Sequence, residues 1–282
     1  MQSIILHLDM NSFFASCEQQ DNPKWRGRVL GVCEHLGGII IAASIEAKKW
    51  GIKTGTAVWE AKKIYPKIIL TRTRPEAYRL YNRKLVKLVS DYTGDVEVYS
   101  IDEVFLDITR VCNISRLVIA SEAKQSNLKL PRRFAPRNDS VVNPFEEAVK
   151  IAKEIKCRMK REMGEYLLCS IGIAENKLLA KIASDMQKPD GLVVITENQN
   201  EKIKMQNLGV FSFTKNELYN RLALTDVPGI GQRTESRLRS LGIKTLLDLK
   251  NYPKSKLVAL FGVPGHHLYN LGQLQGSFHP EV

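Results

Sequence analysis

The sequence predicts an α+β fold, and three patterns lead to that prediction. Short apolar runs of strand length recur from residue 4 onward, so at least one β-sheet is expected. Apolar residues at helical spacing indicate two longer amphipathic helices, at residues 76–91 and 145–159. From residue 224 onward the predicted elements are helices alone. We therefore expect a mixed sheet with helices packed against it, followed by a helical unit.

Length and charge narrow the class of protein. With 282 residues the chain can form two or three structural units, and 44% of its residues are hydrophobic. Its 42 Lys and Arg exceed its 30 Asp and Glu, and the net charge of +12 favours a polyanionic partner such as nucleic acid. No secretory leader or membrane-spanning run is recognised, so we expect a cytoplasmic protein. The five cysteines form no CxxC pair and are expected to be reduced and mostly buried.

The first predicted strand ends in a candidate functional acid. Residues 4–9 form an apolar run that ends at Asp9, and Asn11 or Ser12 can cap the helix that follows. A carboxylate at the end of a strand, with the Met10 carbonyl beside it, offers ligands for a hard cation. Taken alone, Asp9 is more simply an ordinary turn residue.

Two short strands and two short helices are predicted next. The strands lie at residues 29–33 and 37–43, and the helices at 44–51 and 58–65. The second helix stops before a proline, as helices commonly do. Lysine pairs on both helices fit solvated faces or contacts with phosphate.

A hairpin at residues 99–108 places two acids side by side, Asp102 and Glu103. Neighbouring side chains on a straight strand point to opposite faces of the sheet, so these two converge only if the chain bends there. A divalent cation would offset their repulsion. The alternative is solvated charge at an ordinary hairpin tip. Beyond it, residues 115–140 carry six basic and two acidic residues without a sustained period, which indicates an exposed insertion.

Two later segments are typical of phosphate contact. Lys177 and Lys181 share one face of a predicted helix, an arrangement that suits water or a phosphate group between them. Residues 224–231 contain Val-Pro-Gly-Ile-Gly before a helix, the helix-hairpin-helix pattern. Glycines there let the backbone approach a phosphate, and the helix amides point at it. The alternative is a tight turn between helices.

Four motifs occur in order along the chain. They are Leu-Asp-Met-Asn-Ser-Phe-Phe-Ala at residues 8–15, Glu-Ala-Lys-Lys at 46–49, Ser-Ile-Asp-Glu at 100–103, and Asn-Lys at 176–177 with Lys-Pro-Asp-Gly at 188–191 and Pro-Gly-Ile-Gly at 228–231. In these motifs and their order the chain resembles the Y-family DNA polymerases, the translesion enzymes of the polymerase IV (DinB) and kappa type.

The resemblance implies three structural units and the absence of a fourth. A palm with a mixed β-sheet and helices would comprise residues 1–11 and 75–188, including the insertion, and small α/β fingers would comprise 12–74. An all-helical thumb with the helix-hairpin-helix would comprise 189–282. The family's C-terminal little finger is expected to be absent, so grip on a duplex would be salt-sensitive.

The resemblance also implies the chemistry. Asp9, Asp102 and Glu103 would be catalytic and would hold two Mg²⁺ ions together with the Met10 carbonyl, which agrees with the roughly 3.5 to 4 Å metal spacing of two-metal nucleotidyl transfer. Phe14 would be the steric gate against a 2′-hydroxyl. The remaining implied site residues are Phe13, Lys48 and Lys181 for nucleotide binding, and Lys177, Pro228, Gly229, Ile230, Gly231 and Arg233 for DNA.

The implied function is template-directed addition of deoxynucleotides to a primer. Its partners would be primer-template DNA and deoxynucleoside triphosphates, with a sliding clamp as a further candidate although no clamp-binding C-terminus is present, and the protein would act as a monomer. Two alternatives remain open at this point. One is a non-catalytic DNA-binding remnant of such a polymerase, and the other is a metal-dependent nuclease that uses the same acids.

Three positions depart from the family pattern at the nucleotide end. Where the family usually has a threonine or serine, a tyrosine and an arginine, this chain has Ala42, Ile45 and Lys48. A hydroxyl and a phenol are lost, and lysine lacks the bidentate fork of arginine. Each lost charge-assisted contact is worth roughly 1.5 to 3 kcal/mol, so we expect weakened nucleotide binding.

Overall fold

Two β-sheets organise the part of the chain that the computed structural model describes, residues 3–113 and 143–276. The strands are β1 (Ile5–Met10), β2 (Leu30–Cys33), β3 (Ile40–Ala43), β4 (Ile69–Arg72), β5 (Val96–Val98), β6 (Glu103–Asp107), β7 (Cys169–Ala174), β8 (Leu192–Thr196) and β9 (Phe211–Thr214). The larger sheet has the order β5-β6-β1-β7-β8-β9, and the smaller one the order β3-β2-β4. The insertion predicted at residues 115–140 lies outside the described residues.

Helices pack against both sheets and form the C-terminal region. They are α1 (Phe13–Asp21), α2 (Ile45–Lys49), α3 (Val58–Ile64), α4 (Pro75–Ser90), α5 (Pro144–Glu162), α6 (Lys177–Met186), α7 (Gln199–Asn207), α8 (Lys215–Arg221), α9 (Gln232–Ser240), α10 (Leu246–Asn251), α11 (Lys254–Phe261) and α12 (Val263–Gly272). The predicted α+β fold is therefore confirmed. None of the helices in the described ranges is long and apolar enough to cross a membrane.

Strand β1 is the centre of the larger sheet, and all of its residues are buried. It pairs antiparallel with β6 on one side and with β7 on the other. Leu6 and Leu8 belong to a core cluster with residues of α4 and α5, whereas Ile5 belongs to a second cluster with residues of α6 and the C-terminal helices. Because side chains alternate along a strand, Asp9 lies on the same face as Ile5, the face that α6 covers.

The predicted hairpin is present as β5 and β6, with Val96 opposite Leu106 and Val98 opposite Val104. The predicted bend is also present. Its hydrogen bonds converge on Ser100, whose hydroxyl oxygen accepts from the backbone N–H groups of residues 102 and 103 at 3.3 and 3.0 Å. The two acids therefore leave the hairpin at its tip.

The all-helical region begins later than residue 189, the predicted start of the thumb. Strand β8 pairs in parallel with β7, and β9 pairs in parallel with β8, so both extend the larger sheet. Helix α6 makes the crossover that a parallel pair requires. Residues 196–207 are mostly polar, and the sequence predicted no helix there. They contain α7, a nine-residue helix in which Met205 is the buried side chain. With one buried residue, this helix has no apolar stripe from which it could be predicted.

Two smaller predictions can be compared directly. All five cysteines are free and four of them are buried, as predicted, with Cys157 exposed. The predicted capping of α1 is wrong, because Ser12 occupies the N-cap position but makes no capping hydrogen bond. Its backbone is left-handed, with φ 51°, which turns the hydroxyl away from the helix amides. Asn11 instead bonds to Ser170 and Asp190.

Close packing of α6 on β7 yields a stability prediction at Gly172. A Cβ atom there would lie 2.0 Å from the Ala180 carbonyl oxygen and 2.4 Å from the Ser184 backbone nitrogen. Because both are backbone atoms, Gly172→Ala should lower the free energy of unfolding by about 3 kcal/mol, measured by urea denaturation. The control is Gly94→Ala, where no heavy atom lies within 4 Å. Equal changes in the two variants would contradict the close packing.

Candidate active site at the end of the central strand

Three acids meet at the end of β1. Asp9, with 7% of its surface exposed, stands directly opposite Glu103 in the antiparallel register of β1 and β6. Asp102 precedes Glu103, and its carbonyl accepts a hydrogen bond of 2.9 Å from the Met10 N–H. The Ser100 hydroxyl donates to the Asp102 carboxylate at 2.6 Å. Sequence reasoning identified all three acids, and the pairing of β1 with β6 brings them to one edge of the sheet.

Two lysines neutralise two of these acids. Lys188 Nζ donates to Asp9 Oδ2 at 2.6 Å and lies 2.7 Å from Asp185 Oδ1. Lys181 Nζ donates to Glu103 Oε1 at 2.7 Å. Lys188 was not among the predicted site residues. The signal for it was the Lys-Pro-Asp-Gly motif at residues 188–191, which contributed to the family resemblance without a site role being given to Lys188.

The carboxylates do not converge on a single point. In the described ranges, no group of three or more His, Cys, Asp and Glu side chains lies close enough to hold a metal ion. The ion pairs supply the reason, because Lys188 and Lys181 each hold one acid toward α6 and the loop that follows it. The donor set nevertheless suits a hard divalent cation, since it consists of carboxylate oxygens and the Met10 carbonyl. Such an ion fits these residues if the lysines exchange partners.

The two opposed acids have different pKa values. Burial raises the pKa of Asp9 to about 6, and Lys188 offsets only part of that effect. Burial also acts on Glu103, but His7 and Lys181 overcome it and hold the pKa of Glu103 at about 2. His7 is fully buried, with Nδ1 2.7 Å from the Ser184 hydroxyl and Nε2 3.8 Å from Glu103 Oε2. The Glu103 carboxyl group is therefore ionised at neutral pH, whereas the pKa of Asp9 lies close to neutral pH.

A cavity of about 750 Å³ opens beside these acids. The predicted residues that line it are Asp9, Met10, Phe13, Phe14, Ala42, Ile45, Lys48 and Asp102, and the further lining residues include Ser12, Lys49, Thr54 and Lys188. Lys181 and Glu103 are not among the lining residues. The cavity therefore joins the acids of the larger sheet to the β3–α2 region of the smaller one.

Phe14 lines the cavity, and a second aromatic ring lies behind it. The Phe14 ring stacks on the Tyr78 ring, with centroids 4.2 Å apart and planes 12° apart. The Tyr78 hydroxyl donates to Glu18 Oε1 at 2.8 Å, and Arg74 Nε donates to the same carboxylate at 2.9 Å. Phe14 therefore rests on a ring that is itself fixed. Phe13 is 3% exposed and packs mainly into the core.

Another part of the cavity lining is cationic and poor in hydroxyl groups. Desolvation lowers the pKa of Lys48, and the Lys188 ammonium lowers it further, so the two cations act on each other across the site. Ala42 and Ile45 present no polar side-chain atom to the cavity. Thr54 lines it as well, with its hydroxyl donating to the Ile41 carbonyl at 3.2 Å. An anion placed between the lysines would relieve their repulsion.

The predicted DNA-contacting segment has helix-hairpin-helix geometry. Gly229 has φ +97°, a conformation that favours glycine, and Gly231 is the N-cap residue of α9. Ile230 is buried, so its side chain anchors the turn, while Arg233 is exposed on the first turn of α9. Lys177 lies apart from this turn and pairs with Glu97.

Two family models match the chain. The first, described as the impB/mucB/samB family, matches residues 8–185, more than half of the chain. The second, described as the thumb domain of DNA polymerase-iota, matches residues 225–276. The first match contains the three acids of the larger sheet, and the second contains the helix-hairpin-helix.

Relatives that match the chain along most of its length are named DNA polymerase IV. DNA polymerase IV of Pelotomaculum thermopropionicum is 35% identical over 272 residues, which cover 95% of this chain and 56% of that protein. DNA polymerase IV 1 of Bacillus subtilis is 33% identical over 282 residues, which cover 99% of this chain and 56% of that protein. The chain thus spans a little over half the length of these relatives.

Solved structures agree with the fold. The insertion ternary complex of Dbh DNA polymerase superposes with a TM-score of 0.74 at 28% identity, covering 98% of this chain and 69% of that one. The crystal structure of DinB from Sulfolobus solfataricus gives a TM-score of 0.68 at 26% identity, covering 96% and 67%.

The buried Asp9 yields a pH prediction. Its pKa rises from 3.8 in the unfolded chain to about 6 in the folded one, so the folded state binds more protons between these values and loses stability as the pH rises through them. Asp9→Asn cannot ionise. Its stability relative to the original chain should therefore increase between pH 4 and pH 7, by about 3 kcal/mol, measured by urea denaturation in the presence of a chelator.

Glu103→Gln is the control of opposite sign. The pKa of Glu103 is lowered to about 2, so ionisation of this acid stabilises the folded state above pH 4.5 and that contribution is lost as the pH falls toward 2. This variant should lose stability relative to the original chain as the pH rises from acid to neutral. If the relative stabilities of the two variants change with pH in the same direction, the pKa values of Asp9 and Glu103 are not shifted in opposite directions.

Proposed function

We propose that this chain, which belongs to the impB/mucB/samB family of Y-family DNA polymerases, is a template-directed DNA polymerase of the translesion type. It would add deoxynucleotides to a primer 3′ end. The observation that carries the proposal is the meeting of Asp9, Asp102 and Glu103 at one sheet edge, where the first two line a cavity large enough for a nucleotide. Its substrates would be primer-template DNA and deoxynucleoside triphosphates. The three units would be a palm that contains the larger sheet, fingers that contain the smaller sheet, and a helical thumb that begins after β9.

We propose Mg²⁺ as the cofactor, two ions per site. Asp9, Asp102, Glu103 and the Met10 carbonyl would hold the ions, because these are oxygen ligands at one sheet edge. The ions would supply charge neutralisation for the triphosphate and activation of the primer hydroxyl. The chain's own contribution is to keep Glu103 ionised through His7 and Lys181, which the low pKa of Glu103 supports.

Lys188 and Lys48 are the proposed triphosphate contacts. Both line the cavity, and the electrostatic repulsion between them is what a bound polyanion would remove. Lys181 had that role in the prediction from sequence. Its bond to Glu103 favours a supporting role, in which it fixes the charge and orientation of a metal-ligating acid.

Phe14 is the proposed steric gate. Its ring lies flat against Tyr78, and the Tyr78 hydroxyl is bonded to a carboxylate that Arg74 also holds. A sugar with a 2′-hydroxyl would meet a ring that cannot recede. Discrimination against ribonucleotides would follow from bulk alone, without a polar contact.

The helix-hairpin-helix is the proposed DNA grip. No heavy atom lies within 4 Å of the position that a Cβ would take on Gly231, so the backbone is open at that residue. Amides at the start of α9 would meet a phosphate, with Pro228 and Ile230 shaping the turn and Arg233 adding charge. Such contacts grip the backbone without reading sequence.

Primer extension in Mg²⁺ tests the function. The original chain should extend a primer, and Asp102→Ala should reduce the rate by at least about a thousandfold because a metal-ligating acid is lost. Asp91→Ala removes an exposed acid at the far end of α4 and should leave extension unchanged. Retained DNA binding without extension at any nucleotide concentration would instead indicate a non-catalytic remnant.

Restoring a missing phosphate contact tests the weakened nucleotide end. Ile45 lines the cavity at the position where the family usually has a tyrosine. Ile45→Tyr should lower the KM for deoxynucleotides about tenfold, because one added hydrogen bond to a charged group is worth about 1.5 kcal/mol.

The matched control is Ile45→Phe, which adds the ring without the hydroxyl. It should leave KM close to that of the original chain. If both substitutions lower KM equally, the gain comes from ring packing and the missing phenol does not limit binding.

A further inference from the structure

A four-oxygen cluster surrounds the ammonium group of Lys156 on α5. Lys156 Nζ donates to the carbonyl oxygens of Cys169, Asp190 and Gly191 at 3.0, 2.6 and 3.0 Å. It also lies 2.8 Å from Asp190 Oδ1. Only 15% of the lysine side chain is exposed. An ammonium has three protons, so every donor of Lys156 is engaged.

Two of the carbonyls that Lys156 binds belong to the loop between α6 and β8. The same loop carries Lys188, the proposed triphosphate contact, two residues before Asp190. The third carbonyl, that of Cys169, belongs to β7 and lies beside the loop. Lys156 therefore ties the loop to the sheet, and it is not among the residues that line the cavity.

Three further hydrogen bonds fix the same loop. The Asp190 N–H donates to Asn11 Oδ1 at 2.7 Å, and the Gly191 N–H donates to the Ser170 hydroxyl at 3.2 Å. The Ser170 hydroxyl in turn donates to the Gln187 carbonyl at 3.2 Å. These bonds hold the two ends of the loop but make no contact with the Lys188 carbonyl or side chain.

The backbone of the loop is also tightly wound. Asp190 has φ 56°, a left-handed conformation that an aspartate adopts at some energetic cost. A Cβ on Gly191 would lie 1.9 Å from the Gln187 carbonyl oxygen. With three carbonyl oxygens converging at this point, a cation is the group that can hold them together.

We propose that Lys156 is a positioning residue for nucleotide binding, which holds the loop so that the Lys188 ammonium faces the cavity beside Asp9. The proposal rests on the proposed function, because Lys188 is taken there as a triphosphate contact. Lys156 touches neither substrate nor metal ligand. Its effect is transmitted through the backbone of residues 188–191.

Lys156→Met tests the proposal, because it keeps the length of the side chain and removes the charge. The KM for deoxynucleotides should rise about tenfold with kcat within about twofold, since binding of the ground state is what Lys188 supports. The dissociation constant of the nucleotide, measured with a dideoxy-terminated primer, should rise by the same factor. The affinity for primer-template DNA should not change.

The matched control is Lys153→Met, one turn earlier on α5. Lys153 Nζ also donates to a backbone carbonyl, that of Leu208 at 3.1 Å, but it does not contact the loop. This variant should keep the KM of the original chain. A rise in KM in both variants would mean that any lost carbonyl contact on α5 weakens binding, and the proposal would fail.

A double-mutant cycle separates positioning from general destabilisation. If Lys156 acts through Lys188, the variant that combines Lys156→Met with Lys188→Met should have the KM of Lys188→Met alone. Additive effects would overturn the proposal. Should Lys156→Met not fold, Lys156→Gln is measured in the same cycle with the same two outcomes.

The failure of this proposal differs from failure of the proposed function. An original chain that neither binds nucleotide nor extends a primer refutes the function and the proposal with it. If the original chain binds nucleotide and extends a primer, and Lys156→Met has the same KM for deoxynucleotides as Lys153→Met, only the proposed role of Lys156 is refuted.

Discussion

The opposition of Asp9 and Glu103 across β1 and β6 is the constraint on which the rest of the site depends. The antiparallel register places both acids on the face of the sheet that α6 covers, where Asp9 is almost fully buried. Two carboxylates in that position require cations. The chain supplies them from α6 and from the loop after it, as Lys181 and Lys188. The position of α6 on the sheet is therefore an electrostatic requirement as much as a packing one.

Helix α6 meets that requirement by lying very close to β7. Gly172 leaves no room for a side chain between the strand and the backbone of α6, and this closeness brings Lys181 within 2.7 Å of Glu103. The same approach places the Ser184 hydroxyl against buried His7. Lys188 lies beyond the end of α6, so its backbone belongs to the loop, while Asp185 of α6 and Asp9 hold its ammonium group. Lys156, from a different helix, supplies the contacts that the loop needs.

The features that could be predicted from sequence are those that local pattern determines. The alternation of Val96, Val98, Val104 and Leu106 predicted the hairpin, and the burial of β1 followed from its apolar run. The role of Lys188 could not be predicted in this way, because its partner Asp9 lies 179 residues away. The apolar run at residues 192–195 predicts a strand, but its parallel pairing with β7, and that of β9 with β8, depends on tertiary contacts. The three acids were recognised because their motifs resemble a family, while which acid each lysine neutralises depends on tertiary contacts.

The distribution of charge and hydroxyl groups decides what kind of nucleotide site the proposed function would have. Lys48, Lys49 and Lys188 line the cavity, whereas Ala42 and Ile45 bring no side-chain donor to it. The attraction for a triphosphate would therefore be carried by ammonium groups, which act as point charges without the directional geometry of a hydroxyl or a guanidinium. Charge attracts polyanions of many shapes, and salt screens it. Selection of the correct sugar and position would then fall to the rigid parts of the site, the Phe14 ring backed by Tyr78 and the fixed loop of Lys188. A site built in this way would depend on the exact placement of few groups, so a residue as remote as Lys156 would influence binding through the loop.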